Sequence, residues 1–306
     1  MFDITGKRTL FLIISEIIIL ISIIALVVFG LTPGVEFSSG SILTVSFDET
    51  EVTQPELEAA MAELGHSGAI IQRTGEGDFI IRTQELSSTD KTALEDSLSA
   101  EFGKLTEREF YSVSAMVAAE MLHNAIIAVA IAAVGILLYI TWAFRVMPRP
   151  FHYGVCAVIA LVHDVVVVLG VFSILGAILG WEINLMFITG VLAIIGYSVN
   201  NIVVVFDRIR ENLKRGLSPN FEAVVNNSIV ETLSRQMNTS LTTVLTVLAL
   251  LLFVGSTIQN FAVILLIGII AGTFDSICIA PNLLVIWDKK EWGRLILLPQ
   301  AKSKEG

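Results

Sequence analysis

A few polar residues sit inside stretches that are otherwise apolar, and these are the side chains whose types could do chemistry. His163 and Asp164 adjoin in the run 152 to 179, Ser198 and Asn201 share a helix face in the run 184 to 206, and Asp275 falls in the run 259 to 286. Charged or amide groups at membrane depth are costly, so they turn toward a protein interior or a water path, and a carboxylate near an imidazole there can exchange a proton. Neighbours on a helix point about 100° apart, so His163 and Asp164 are expected to face different elements. The plain alternative for Asp164 is a paired structural carboxylate. Asp275 continues the face of Gly268, Ala271 and Gly272, whose small-xxx-small spacing predicts close helix packing. Packing explains the glycines but leaves the carboxylate needing a partner, a proton or water.

The run 236 to 255 follows Arg235 and carries Thr239, Thr242, Thr243 and Thr246 on one face, an arrangement that serves more often as glue between helices than as a pathway. Glu16, near one end of the run 10 to 30, is expected to reach the interface. Asp207, Arg208, Arg210 and Glu211 alternate in charge after the fourth run and read as a solvated helix end, with an interfacial amphipathic stretch following up to Arg235.

The elements that must hold these residues follow from composition. Of 306 residues, 54% are hydrophobic, more than a soluble core of this size needs. Six runs, near 10 to 30, 121 to 144, 152 to 179, 184 to 206, 236 to 255 and 259 to 286, are long enough to cross roughly 30 Å of hydrocarbon. The first ends in Gly30-Leu31-Thr32-Pro33 with no small-x-small cleavage site and reads as an uncleaved anchor. Lys7 and Arg8, Arg145 and Arg149, the cluster from Arg208 to Arg235, and the tail from Lys289 to Lys304 all fall on one side, which makes that side cytoplasmic. The short opposite loops, 180 to 184 and 255 to 260, contain neither Lys nor Arg. Residues 31 to 118 carry 16 acidic and 5 basic side chains, so the acidity of the chain belongs to this segment and argues against nucleic acid as a partner. Cys156 and Cys278 both lie inside predicted spans and read as packing residues.

Between the first two spans the hydrophobic period changes. Ser41 to Phe47 reads as a strand, and Thr53-Gln54-Pro55-Glu56 opens a helix to Leu64 with a capping box. Ala69 to Arg73 and Asp78 to Thr83 flank the turn signal Thr74-Gly75-Glu76-Gly77. A helix over Ser87 to Phe102, capped by Ser88 or Thr89, and a strand over Glu107 to Ser114 complete the set. This strand-helix-strand-strand-helix-strand order predicts a ferredoxin-like, split βαβ domain with one open sheet face, suited to an extended polypeptide or a partner domain, or to a role as spacer. The expected fold is thus a multi-pass α-helical membrane protein of six transmembrane helices with an external α+β ferredoxin-like domain. Its expected divisions are 1 to 30, 31 to 118, 119 to 286 with a cytoplasmic loop over 207 to 235, and a tail from 287 to 306. No paired carboxylates, metal-ligand cluster or Ser/His/Asp pattern stands out in the external segment, and no Gly-rich Lys-Ser/Thr loop occurs, so no enzyme activity, cofactor or metal is expected.

With the spans laid out, the chain resembles the SecF branch of the SecD/SecF protein-export family, relatives of the resistance-nodulation-division transporters. The most specific run is Ile195-Gly196-Tyr197-Ser198-Val199-Asn200-Asn201 through Val203-Val204-Val205-Phe206-Asp207-Arg208-Ile209-Arg210-Glu211-Asn212, followed by Glu231-Thr232-Leu233-Ser234-Arg235. Supporting matches are Gly34-Val35-Glu36-Phe37-Ser38-Ser39-Gly40, Leu161-Val162-His163-Asp164-Val165, and Leu266 to Thr273. The resemblance implies a pump-like accessory in the bacterial inner membrane that works with SecD beside the SecYEG channel, with YajC as a further candidate partner, and uses the proton gradient to draw a translocating preprotein outward. It also implies an aspartate at position 201 carrying protons opposite Arg235. This chain has Asn201, and an amide cannot titrate in that range. Either another carboxylate serves, such as Asp164, Asp275 or one in SecD, or the coupling is weak or to a different ion. Asp275 stands where the family more often has a small hydroxyl residue, which suggests a carboxylate moved from the fourth span to the sixth. Competing readings are a small-molecule exporter of the same superfamily, for which a head of about 85 residues is small, and a structural scaffold.

Overall fold

The computed structural model of the chain describes residues 3–48, 52–75, 77–253 and 256–291. In chain order, α1 (Arg8–Phe29) leads through the short α2 (Val35–Ser38) into β1 (Gly40–Phe47), α3 (Gln54–Glu63), β2 (Ile70–Arg73), β3 (Phe79–Thr83), α4 (Ser88–Phe102) and β4 (Leu105–Val113). Long helices follow: α5 (Ala115–Ala143), α6 (Pro150–Leu179), α7 (Leu185–Lys214) and α8 (Phe221–Phe253). The last stretch is α9 (Ser256–Phe274), a π-helical turn (Asp275–Ile279) and α10 (Ala280–Lys289). Six of these stretches are long and apolar enough to cross a membrane, as the sequence predicts. The chain forms two compact units: residues 33–127 with 182–185, and the remainder.

In the smaller unit, the sheet order is β2-β3-β1-β4 with every pair antiparallel, which inserts β3 between β1 and β2 in the split βαβ manner. Strand alternation sends Leu43, Val45, Ile71, Phe79 and Ile81 to one face, where Leu57, Met61, Leu94 and Leu98 of α3 and α4 cover them. The predicted capping box forms at α3, where Glu56 accepts from the Thr53 backbone N–H at 3.0 Å. At α4 the cap is Ser87, one residue earlier than expected, because its hydroxyl accepts from the Asp90 N–H at 3.2 Å. Of the hairpin signal, Glu76 lies outside the described residues, and the Thr74 N–H to Asp78 carbonyl bond of 2.8 Å closes the turn. Gly40 enters β1 at φ +132°, and a Cβ there would lie 2.6 Å from the Thr83 carbonyl oxygen. Residues 182–185, read from sequence as part of a short loop, belong to this unit. Ile183 bridges Pro33, its carbonyl accepts from the Gly34 N–H at 2.8 Å, and Glu182 pairs with Arg82 at 2.6 Å.

In the larger unit, residues 207–214 and 221–235 continue α7 and α8 as helix, and Arg208, Asn212, Ser228 and Glu231 tie the two helices side by side. The final span is not one regular helix. Pro281 has no N–H to donate, and its ring crowds the carbonyl one turn back, so the helix widens into the π turn, where the Ala280 N–H reaches the Asp275 carbonyl. The Asn282 side chain donates to the buried Cys278 carbonyl at 2.7 Å, within the widened turn. Cys156 and Cys278 are free and buried, as expected of packing residues. Most of the tail expected over 287 to 306 lies outside the described residues.

Candidate functional site

α7 and α9 run parallel and meet on small residues at intervals of four. A Cβ on Gly190 would lie 2.8 Å from Ile264, one on Gly268 2.1 Å from Ile194, and one on Gly272 2.9 Å from the Ser198 hydroxyl. In this ladder, of which sequence reading found only the glycines on the α9 side, Ile264 and Ile194 fill the space over Gly190 and Gly268, and the Ser198 side chain lies over Gly272. The ladder also delivers the sixth-span carboxylate to the third. Gly272 leaves room 3.3 Å from Asp164 Oδ2, and the π turn beginning three residues later presents Asp275 to α6.

There Asp275 Oδ2 lies 2.9 Å from His163 Nδ1, without the alignment of a hydrogen bond. Ser198 donates to Asp164 Oδ2 at 2.5 Å. One donor atom from each of His163, Asp164 and Asp275 lies within 4.8 Å of the other two. Asp164, Ser198 and Asp275 are fully buried, and His163 nearly so. No metal site was expected from sequence, and this set of one imidazole and two carboxylates can hold and exchange a proton. The remaining oxygen of Asp164 and both oxygens of Asp275 have no hydrogen-bond partner. Two carboxylates side by side away from water repel each other when both are ionised, so exchange of one proton among them and the imidazole is the chemistry this cluster offers.

The structure thus brings together four of the six pathway residues expected from sequence. His163 and Asp164, though adjacent, contact different partners, as their angular separation requires. Asn201 is buried one turn beyond Ser198 with its amide nitrogen unpartnered. Arg235 is exposed, on the face of α8 turned away from the cluster. The side chains that α8 turns inward are Gln236, which accepts from Ser276 at 2.8 Å, and Ser240, which bonds Thr273 at 2.6 Å and accepts from Tyr197 at 3.0 Å. Both were missed. An amide and a hydroxyl four residues apart in an apolar run was the available signal. The threonine stripe, expected as glue between helices, bonds its own helix instead: Thr239, Thr242, Thr243 and Thr246 each donate to a carbonyl one turn back.

Asp207, Arg208, Arg210 and Glu211 lie at a helix end that stays partly exposed, as expected, and Arg208 crosses from it to α8. Arg208 donates to Glu231 of α8 at 2.6 Å and to Glu211 at 2.5 Å, Arg215 reaches Glu211 at 2.5 Å, and Arg210 pairs with Asp207.

Residues 93–290 match the family model described as protein export membrane protein SecD/SecF, C-terminal, and residues 24–51 match the SecD/SecF GG motif. The chain is 41% identical over 307 residues to the protein translocase subunit SecF of Thermobaculum terrenum, covering 96% of each. It is 32% identical to the protein translocase subunit SecDF of Bacillus subtilis, covering 94% of this chain and 38% of that one. Among solved structures, it is similar to a crystal structure of SecDF, described as a translocon-associated membrane protein, from Thermus. The TM-score is 0.81 at 33% identity, with 94% of this chain and 39% of that chain covered. The chain therefore spans about two fifths of the length of these SecDF relatives.

Proposed function

Since this chain belongs to the SecD/SecF family of protein-export membrane proteins, we propose that it works in the Sec pathway as the SecF-type subunit, pairing with SecD beside the SecYEG channel to promote export of preproteins across the bacterial cytoplasmic membrane. Its termini face the cytoplasm, and the unit carrying the sheet faces outward, in line with the distribution of Lys and Arg. The proton gradient drives the work. The observation that carries this reading is the buried His163, Asp164, Ser198 and Asp275 cluster, which joins two carboxylates and an imidazole within apolar helices in a chain whose position 201 holds an amide. Such groups are rarely kept inside a bilayer without an ion to move. The longer SecDF relatives support pairing with SecD, and so does Arg235, which is exposed on a span and has no ion-pair partner among the described residues.

The deciding measurement is export into inverted vesicles with and without a proton gradient. Asp275→Asn should abolish the gradient-dependent part, and Asn201→Asp reports whether restoring the family carboxylate adds to it. Gradient-dependent export unchanged in Asp275→Asn would overturn the reading.

A further inference from the structure

α1 and α6 touch where Gly170 leaves room for Ser22, since a Cβ there would lie 2.3 Å from Ser22 Cβ. Nearer the N-terminal end of α1, a half-open cavity of about 360 Å³ separates them, bounded also by the π turn and α10. At about 30 Å³ per molecule it has room for on the order of ten waters. Its walls are mostly aliphatic, Leu12, Ile19 and Leu283 among them, but Ser15, Glu16 and His163 also line it. Glu16, expected from sequence to reach the interface, is half-buried with its Oε1 shielded from solvent and unpartnered, and His163 borders the same space beside the Ser15 backbone. An aliphatic cavity by itself stays dry or fills with lipid. A shielded carboxylate oxygen without a partner, bordering the same space as an imidazole, calls for water there.

His163 belongs to both sites, because it lines the cavity and its Nδ1 lies 2.9 Å from Asp275 Oδ2. Glu16 lies eight residues after Arg8, about 12 Å along the axis of α1. Arg8 itself is held by Glu222 and by Glu291 at the end of the bundle near both termini. Glu16 and His163 are the titratable groups lining the cavity, with Asp275 and Asp164 behind the imidazole.

We propose that this cavity between α1 and α6 is a water-filled portal through which protons leave Asp275 and His163 toward the side of the termini, with Glu16 as the carboxylate at its mouth. The inference rests on the proton-coupled reading above and adds its route. Each passage is balanced: protonated Asp275, once in line, gives its proton to His163 Nδ1, and the imidazolium releases the proton of its other ring nitrogen to a water in the cavity, which becomes hydronium. The ring, neutral again with its proton on Nδ1, turns over before the next passage.

The test uses the full chain together with its partner in inverted vesicles, whose medium faces the side of the termini. Glu16→Cys and Ile19→Cys are each exposed to a cationic, membrane-impermeant methanethiosulfonate reagent. The wild-type chain, with Cys156 and Cys278 buried, is the blank, and Leu20→Cys, exposed on the outside of α1, is the lipid-facing control. Labelling at 16 and 19 above both controls is expected. Modification of 16 and 19 only by a membrane-permeant maleimide would mean lipid in the cavity and would overturn the portal. Glu16→Gln should also slow gradient-driven export several-fold while Glu16→Asp retains it, and wild-type rates in Glu16→Gln would equally overturn the proposal. The two readings fail separately. Unlabelled cysteines with export still blocked by Asp275→Asn refute the portal alone, whereas labelled cysteines with export indifferent to Asp275→Asn refute the coupling.

Discussion

Two glycines carry more of the site than their size suggests. Gly272 is small enough for α9 to lie against Ser198 and Asp164, and an added Cβ would lie 2.9 Å from the Ser198 hydroxyl and 3.3 Å from Asp164 Oδ2. Gly272→Ala should therefore push α9 off α7, lengthen the Ser198 to Asp164 contact and lower gradient-driven export, while the chain still inserts and co-purifies with SecD. Equal export in alanine and wild type would remove the argument. Gly40 is constrained by backbone and not by packing alone: at φ +132° an alanine is strained by about 1–3 kcal/mol, and its Cβ would meet the Thr83 carbonyl. Gly40→Ala should accordingly lower the melting temperature of the chain in detergent. Glu182 supplies a prediction with a sign. Burial raises its carboxyl above the ordinary 4.5, the Arg82 guanidinium lowers it, and Glu36 raises it again. A raised value in the folded state means that Glu182 contributes stability in full below the unfolded value and loses it as pH climbs through the folded one. Thermal unfolding from pH 4.5 upward should then show a loss in the wild type that Glu182→Gln lacks.

At the scale of elements, the π turn is the device that matters. The α7 to α9 ladder advances four residues at a time through 190 and 264, 194 and 268, 198 and 272, and the next step falls within Asp275–Ile279. There the helix takes an extra residue per turn, which re-aims the side chains beyond Gly272. Pro281→Ala removes the cause of the widening and should let the α-helix close, turning Asp275 away from His163. The expected result is weaker gradient-driven export with normal membrane insertion. Asn282→Ala leaves the Cys278 carbonyl without its donor and should cost about 1–3 kcal/mol of stability in detergent unfolding.

For the whole molecule, ion pairs gather the chain ends. Arg8 of α1 pairs with Glu222 at the start of α8 and with Glu291 after α10, and Lys289 pairs with Glu222. The outer face of α8 is different in kind. The threonines there are satisfied by their own helix, whereas Arg235 and Asn238 stand exposed. Hydrocarbon offers such groups no partner, so in the membrane this face is expected to be covered by SecD. Arg235→Leu should reduce the SecD recovered with the affinity-tagged chain, and undiminished recovery would place the contact elsewhere.

The sequence by itself determined the six spans, the strand and helix order of the smaller unit, and the polar residues that membrane depth makes costly. All three rest on local signals: apolar length, the change from a period of 3.6 to one of 2, and capping chemistry within one turn. His163, Asp164, Ser198 and Asp275, which the fold brings together, could be picked out for the same reason. Tertiary structure decided which faces turn inward. On α8 the angle between Arg235 and Gln236 is one residue step, and neighbouring helices alone select which of them is buried. Pro281 stands in the sixth run, but whether a helix kinks, ends or widens at a proline depends on its surroundings, here a π turn over Asp275–Ile279. The approach of Asp275 to His163 and the turning of Glu16 into a cavity join residues far apart in the chain, and no local period encodes such contacts.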